Sequence, residues 1–157
     1  MIEKMKGCGR ALCDKDIDGI EAHIGIHLPE EYRAFLLRYN GGRPTPRAFP
    51  IEGLANNPFG VILDFFGIDD TVESCNLDWN VETMNGRLPA NLLPIACDDG
   101  GDLICLSLFG EDADSVLFWD RHKEKGAPSY ENVFKIASSF TEFIDGVREL
   151  PDGPQAS

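Results

Sequence analysis

The residues of this chain best suited to chemistry are carboxylates, and they gather in two short runs. Asp14-Lys15-Asp16-Ile17-Asp18-Gly19 sets three carboxylates at alternate positions with a glycine at the sixth, which is how a calcium-binding loop opens. The pattern then breaks. Glu21 stands where an apolar residue is usual, and Gly25 replaces the bidentate Glu that would supply two of the six to eight oxygens calcium takes. Ile17, Ile20 and Ile24 instead draw a helical stripe through the same residues, with Asp14 placed to cap its start. The second run, Asp98-Asp99-Gly100-Gly101-Asp102, has the residue types a tight turn demands.

Imidazole and thiol chemistry find less support. His23, His27 and His122 are the three imidazoles, and none lies in a nucleophile context. The chain carries no GxSxG, HExxH, P-loop or dinucleotide glycine pattern. His122, after Trp119-Asp120-Arg121, is the best placed of the three, yet it brings no partner set, and the expectation is a protein that is not an enzyme. Cys8, Cys13, Cys75, Cys97 and Cys105 are odd in number, scattered, and without a CxxC pair, which argues against a zinc site or a disulfide framework and for reduced thiols. No metal and no cofactor is expected.

The elements that must position these residues follow from periodicity. Asp14 to Ile24 is expected to be helical and to end at Gly25. A second helix runs from Leu28-Pro29 to Tyr39: Pro29 suits the first helical position, Glu30 and Glu31 favour the dipole, and Asn40-Gly41-Gly42 stops it. Its Leu28, Tyr32, Phe35, Leu36 and Tyr39 form one apolar stripe. Residues 43–58 are dense in Pro, Asn and Gly and read as a loop with one edge strand. Gly60–Ile68 reads as a strand and Asp69–Met84 as a helix. Leu92–Cys97 and Leu103–Leu108 form a hairpin across the acidic turn. Val116–Trp119 is a further strand, Val133–Ala137 a last strand or the approach to a helix, and Ser138 or Ser139 caps a closing helix with Phe140, Phe143, Ile144 and Val147 inside. The expected architecture is a single α+β domain over residues 14–150, a largely antiparallel sheet with helices packed on it. Residues 1–13 are an arm or short helix, and 151–157 a disordered tail.

Fourteen basic residues face 27 acidic ones, a formal charge of −13. Such a field disfavours nucleic acid and anionic membrane and favours a basic protein partner. No apolar run approaches the roughly 20 residues of a membrane helix, and the N-terminus lacks the apolar core of a signal peptide, so a cytoplasmic location is expected.

The stretch IEAHIGIHLPEEYRAFLLRYNGG resembles the N-terminal signature of the SUKH superfamily, through Leu28, Pro29, Tyr32, Phe35, Leu36, Asn40, Gly41 and Gly42. LLPIACDDGGDLICLSL is similar to that family's strand, acidic Gly turn and strand, and ASSFTEFIDGV to its closing helix. VLFWDRHKE is a looser likeness, because Arg121 is interposed. The superfamily includes fungal cell-wall-assembly regulators and many bacterial immunity proteins. The resemblance implies a non-enzymatic protein that binds a cognate toxin, often a nuclease, and occludes its active site or substrate path. A regulatory adaptor is the alternative, and a small hydrolase or metal protein built on the Asp98 turn is a third. The expected partner-binding surface is acidic and comprises Asp98, Asp99, Asp102 and Asp120, at the ends of adjacent strands, with Trp119 beside them.

Overall fold

The computed structural model describes residues 1–53 and 59–151. In chain order its elements are β1 (Lys4–Lys6), α1 (Asp14–Ile24), α2 (Glu30–Tyr39), β2 (Arg43–Thr45), β3 (Ala48–Pro50), β4 (Phe59–Phe65), α3 (Leu77–Met84), β5 (Leu92–Asp98), β6 (Leu103–Ser107), β7 (Val116–Trp119), β8 (Val133–Ala137) and α4 (Phe140–Gly146). Short 3₁₀ turns occupy Glu73–Cys75 and Arg121–Lys123. Strands β3 to β8 form one antiparallel sheet in sequence order, and β1 pairs with β2 in a small second sheet. This is the expected α+β domain.

The main sheet curls until its two ends meet. The Glu52 N–H, just past β3, donates to the Lys135 carbonyl of β8 at 3.3 Å. Phe49 of β3 thereby comes within 6.3 Å, centroid to centroid, of Phe118 on β7. Gly60, opposite Phe49 in the β3–β4 ladder, leaves room for that ring, since a Cβ there would sit 2.3 Å from it. A proline stands inside central strand β5. The β5–β6 register slips between Pro94 and Ala96, so the missing proline N–H falls at an irregularity and not in a regular ladder.

The helices close the core with aromatic rings. Phe35 of α2 packs on Phe65 of β4 at 4.8 Å and on Phe140 of α4 at 5.0 Å, and Phe143 of α4 packs on Phe49 at 5.7 Å. Tyr32 meets Phe140 edge to face at 5.4 Å. Of the predicted α2 stripe, Leu28, Tyr32 and Leu36 are buried, while Phe35 and Tyr39 are half-buried at the rim.

Several expectations change in detail. Residues 1–13 supply strand β1, because Lys4–Lys6 find a partner strand in Arg43–Thr45. The loop expected over 43–58 holds two short strands, β2 and β3, and residues 54–58 lie outside the described residues. Asp14 does not cap α1. Cys13 takes that position, and Asp16 accepts its N–H at 2.8 Å. Pro29 stands just before α2 with an extended ψ of 145°, one residue ahead of the expected place. The helix expected over 69–84 begins at Leu77, because Asn76 ties the preceding turn through the Asp70, Val72 and Glu73 carbonyls. Apart from Pro151, the tail expected to be disordered lies outside the described residues.

Asn40 joins three parts of this framework. It ends α2 in the left-handed region at φ 49°. Its side-chain amide donates to the Arg10 and Ile68 carbonyls, both at 3.0 Å, and accepts the Ile68 N–H at 2.7 Å. Asn40→Ala leaves three backbone groups unpaired, the two of Ile68 being buried, and strains the cap. It should cost about 2–4 kcal/mol in urea denaturation, with Asn40→Gly recovering only the strain part, about 1 kcal/mol. Tyr32 is the opposite case. Its hydroxyl is buried without a hydrogen-bond partner among the described residues, so Tyr32→Phe should raise stability by about 1 kcal/mol in the same assay.

Candidate functional site

The structure brings Asp98, Asp102 and Asp120 together, but not as an open surface. Asp98 closes the β5–β6 turn from within: its Oδ1 accepts the Gly100 N–H at 2.9 Å and the Asp102 N–H at 2.8 Å. Asp102 Oδ1 accepts the Arg121 N–H at 2.9 Å, and Asp120 Oδ1 accepts the His122 N–H at 3.0 Å. Asp98 and Asp102 are each 8% exposed. These carboxylates hold the hairpin end and the following 3₁₀ turn to each other. Gly101 belongs to the same arrangement, with φ 85° and the Arg121 guanidinium packed where a Cβ would stand.

Trp119 requires a correction. It was expected beside the partner surface, yet it is 2% exposed, with the Arg87 guanidinium 5.8 Å from its ring centroid. All four residues of β7 are buried, so both faces of the strand are covered and neither is a groove. Asp120 is half-buried. Of the five expected contact residues Asp99 alone is exposed, and it lies 3.7 Å from Arg47.

Among the described residues, Asp102, Asp120 and His122 could hold a metal, with one ligand atom each and all three within 4.8 Å of one another. His122 Nδ1 lies 3.4 Å from both carboxylates. The oxygens it faces already accept backbone N–H groups, which accounts for their placement without an ion. The calcium-like run on α1 is accounted for similarly. Arg10 binds Asp16 at 2.8 Å, and Arg33 binds Asp18 at 2.8 Å and Asp14 at 3.4 Å. The Arg10 guanidinium holds the Asp16 carboxyl well below the usual carboxylate range.

Charge left open lies elsewhere. A cleft of about 580 Å³ runs between α1 and the segment from Asp69 through α3. Six carboxylates line it against two permanent cations, Arg10 and Lys15. Arg10 is already engaged with Asp16 and Asp69. That leaves Asp70, Glu73, Asp78 and Glu82 with Trp79 in the wall. The sequence does hold a signal for this wall: between Asp69 and Met84 there are five carboxylates and no lysine or arginine.

Burial pushes the Asp98 carboxyl up to about 6, against its accepted backbone hydrogen bonds. A folded value above the unfolded one means the native state holds the proton more tightly. The stability this contributes is full below about pH 4 and is lost as pH rises through about 6. Asp98→Asn keeps an oxygen acceptor without the charge. In thermal melts it should match the wild type at pH 4 and exceed it by about 2 kcal/mol at pH 7.

Comparison with known proteins follows the same lines. The sequence pattern of the SMI1 / KNR4 family (SUKH-1) matches residues 12–146, the whole span from α1 to α4. The SPbeta prophage-derived uncharacterized protein YokK of Bacillus subtilis (strain 168) is similar, 28% identical over 153 residues, covering 88% of this chain and 76% of that protein. The family match spans the β5–β6 hairpin and both N-terminal helices. The chain belongs to the SMI1 / KNR4 family (SUKH-1).

Proposed function

We propose that this protein is a non-enzymatic immunity protein that binds a basic protein toxin and neutralises it by covering the toxin's active site or substrate path. The observation that carries the reading is the charge of −13 on a scaffold whose three histidines lack a catalytic set. His23 meets exposed Glu82, His27 meets Glu21, and His122 is held in the polar turn after β7. Membership in the SMI1 / KNR4 family supports an immunity role. Among the described residues no helix is long and apolar enough to cross a membrane, which agrees with a protein that meets its partner in solution.

An acidic inhibitor gains most from its field in the approach to a basic target. Long-range attraction raises the association rate and orients the encounter, while close contacts set the dissociation rate. Salt screens the first effect over about 10 Å at 0.1 M. The test is co-expression with a candidate basic toxin, beginning with any encoded beside this gene. Cells should survive only when this protein is present. In stopped-flow mixing of the purified pair, association should slow about 10- to 100-fold between 0.05 and 0.5 M NaCl. Cell death despite stable expression of both proteins would count against the reading.

A further inference from the structure

We infer that Phe109 and Tyr130 form an aromatic docking knob, which anchors this protein in an apolar pocket rimmed by lysine or arginine on its basic partner. The inference rests on the binding role proposed above and names the surface that carries it.

The first observation is where the exposed rings lie. Of the Phe, Tyr and Trp residues, all of them among the described residues, only Phe109 and Tyr130 are exposed, at 58% and 47%. Neither belongs to the apolar core or to the side chains packed on it. A single exposed ring on a loop is ordinary. Here two come from different loops, Phe109 following β6 and Tyr130 preceding β8, and antiparallel pairing brings both to the end of the sheet opposite the Asp98 turn. Asn91, just ahead of β5, joins them. Its Nδ2 lies 2.6 Å from the Tyr130 hydroxyl and 3.3 Å from the Phe109 carbonyl.

The second observation is the polar network that holds this corner. Ser107, fully buried, shares its hydroxyl proton between the Phe109 carbonyl at 3.2 Å and Asp112 Oδ1 at 2.7 Å. The Tyr130 hydroxyl donates to Asp112 Oδ2 at 3.1 Å. The Asp114 N–H returns to the Ser107 carbonyl at 2.8 Å and closes the Phe109 loop on the end of β6. Phe109 therefore stands on a fixed backbone, and Tyr130 is tethered at its hydroxyl while its ring stays exposed. Aromatic side chains held beforehand lose little freedom on binding, and such rings are what anchor protein interfaces.

Charge selects the occupant. The loop from Phe109 to Ser115 holds Glu111, Asp112 and Asp114 and no lysine or arginine. A second copy of this chain would bring the same carboxylates, and another net charge of −13, against them. Nucleic acid and anionic lipid meet that repulsion too. A basic protein with an apolar pocket satisfies rings and rim together: the carboxylates steer its approach, and the buried rings slow its departure.

The test uses the full chain and a fluorescein-labelled leucine–lysine peptide, whose helix presents an apolar stripe between rows of cations, titrated by anisotropy in low salt. Phe109→Ser should weaken binding about five- to tenfold, and Phe109→Tyr, which keeps a ring, should stay within about twofold of wild type. Val72→Ser and Leu150→Ser, which remove exposed apolar side chains elsewhere, should also stay within about twofold. A serine–lysine peptide of equal charge should not distinguish Phe109→Ser from wild type. Affinity for the leucine–lysine peptide unchanged in Phe109→Ser, or lowered equally by the Val72 and Leu150 variants, overturns the knob. So does a dimer of the wild type in analytical ultracentrifugation that Phe109→Ser abolishes, since the rings would then serve self-association. Melting temperatures within a few degrees of wild type keep these comparisons free of unfolding. Toxin co-expression separates the two ideas. Against a toxin that the wild type neutralises, Phe109→Ser should raise the dissociation rate at least tenfold with association within about twofold. If it rescues equally well with unchanged dissociation, the knob falls and the immunity role stands. If the wild type does not rescue, the immunity role falls, and the peptide titration still decides the knob.

Discussion

The fold depends on a single buried amide. Asn40 ends α2, and from that point its side chain holds the backbone at Arg10, before α1, and at Ile68, after β4. Its own carbonyl accepts the Gly9 N–H at 2.9 Å. Gly42 and Phe65 then exchange backbone hydrogen bonds at 3.2 and 2.8 Å, which brings the chain beside the main sheet. These contacts are local to one corner, but they set where both N-terminal helices lie. No other residue type meets the requirement. Asn tolerates the left-handed cap, and its amide can donate and accept at once. Gly41 and Gly42 follow at φ 77° and 120°, where a side chain would meet Phe65, Gly67 or Lys6 backbone.

That corner was visible in the sequence as Asn-Gly-Gly after an aromatic helix, although its reach to residues 10 and 68 was not. Local signals were legible where local physics decides: α1 over Asp14–Ile24, β7 over Val116–Trp119, and the Ser139 cap of α4, whose side chain accepts the Glu142 N–H at 3.0 Å. They failed where a distant partner decides. Three residues such as Lys4–Lys6 have no strand signature of their own and become β1 only because β2 offers an edge. Trp119 reads the same in sequence whether exposed or buried, and its burial follows from a sheet covered on both faces. The acidic hairpin misled for a related reason. Asp-rich turns are polar by composition, yet here the carboxylates point into the turn and satisfy backbone donors.

Carboxylates in this protein therefore do two kinds of work, and geometry distinguishes them. Asp98, Asp102 and Asp120 accept backbone N–H groups and act as parts of the framework. Removing charge from such a site changes stability first. Among the described residues Asp78 and Glu82 pair only with His23, and they stand exposed on α3. Their charge is available for work outside the molecule. The distinction explains why the densest acidic turn in the sequence is a poor guide to where a cation would bind.

The placement of the open charge is in turn a consequence of the core. Ile17 and Ile20 on α1 and Leu77 on α3 are buried, so α1 and α3 are held by their apolar faces and turn their polar faces to the cleft between them. α3 cannot unwind to relax the repulsion between Asp78 and Glu82 without uncovering Leu77 and Met84, at roughly 1.5–3 kcal/mol for each one exposed. Exposed like charges four residues apart on a helix repel by only about 0.2–0.5 kcal/mol. Hydrophobic burial therefore wins, and the core keeps the acidic wall assembled in the absence of any ligand.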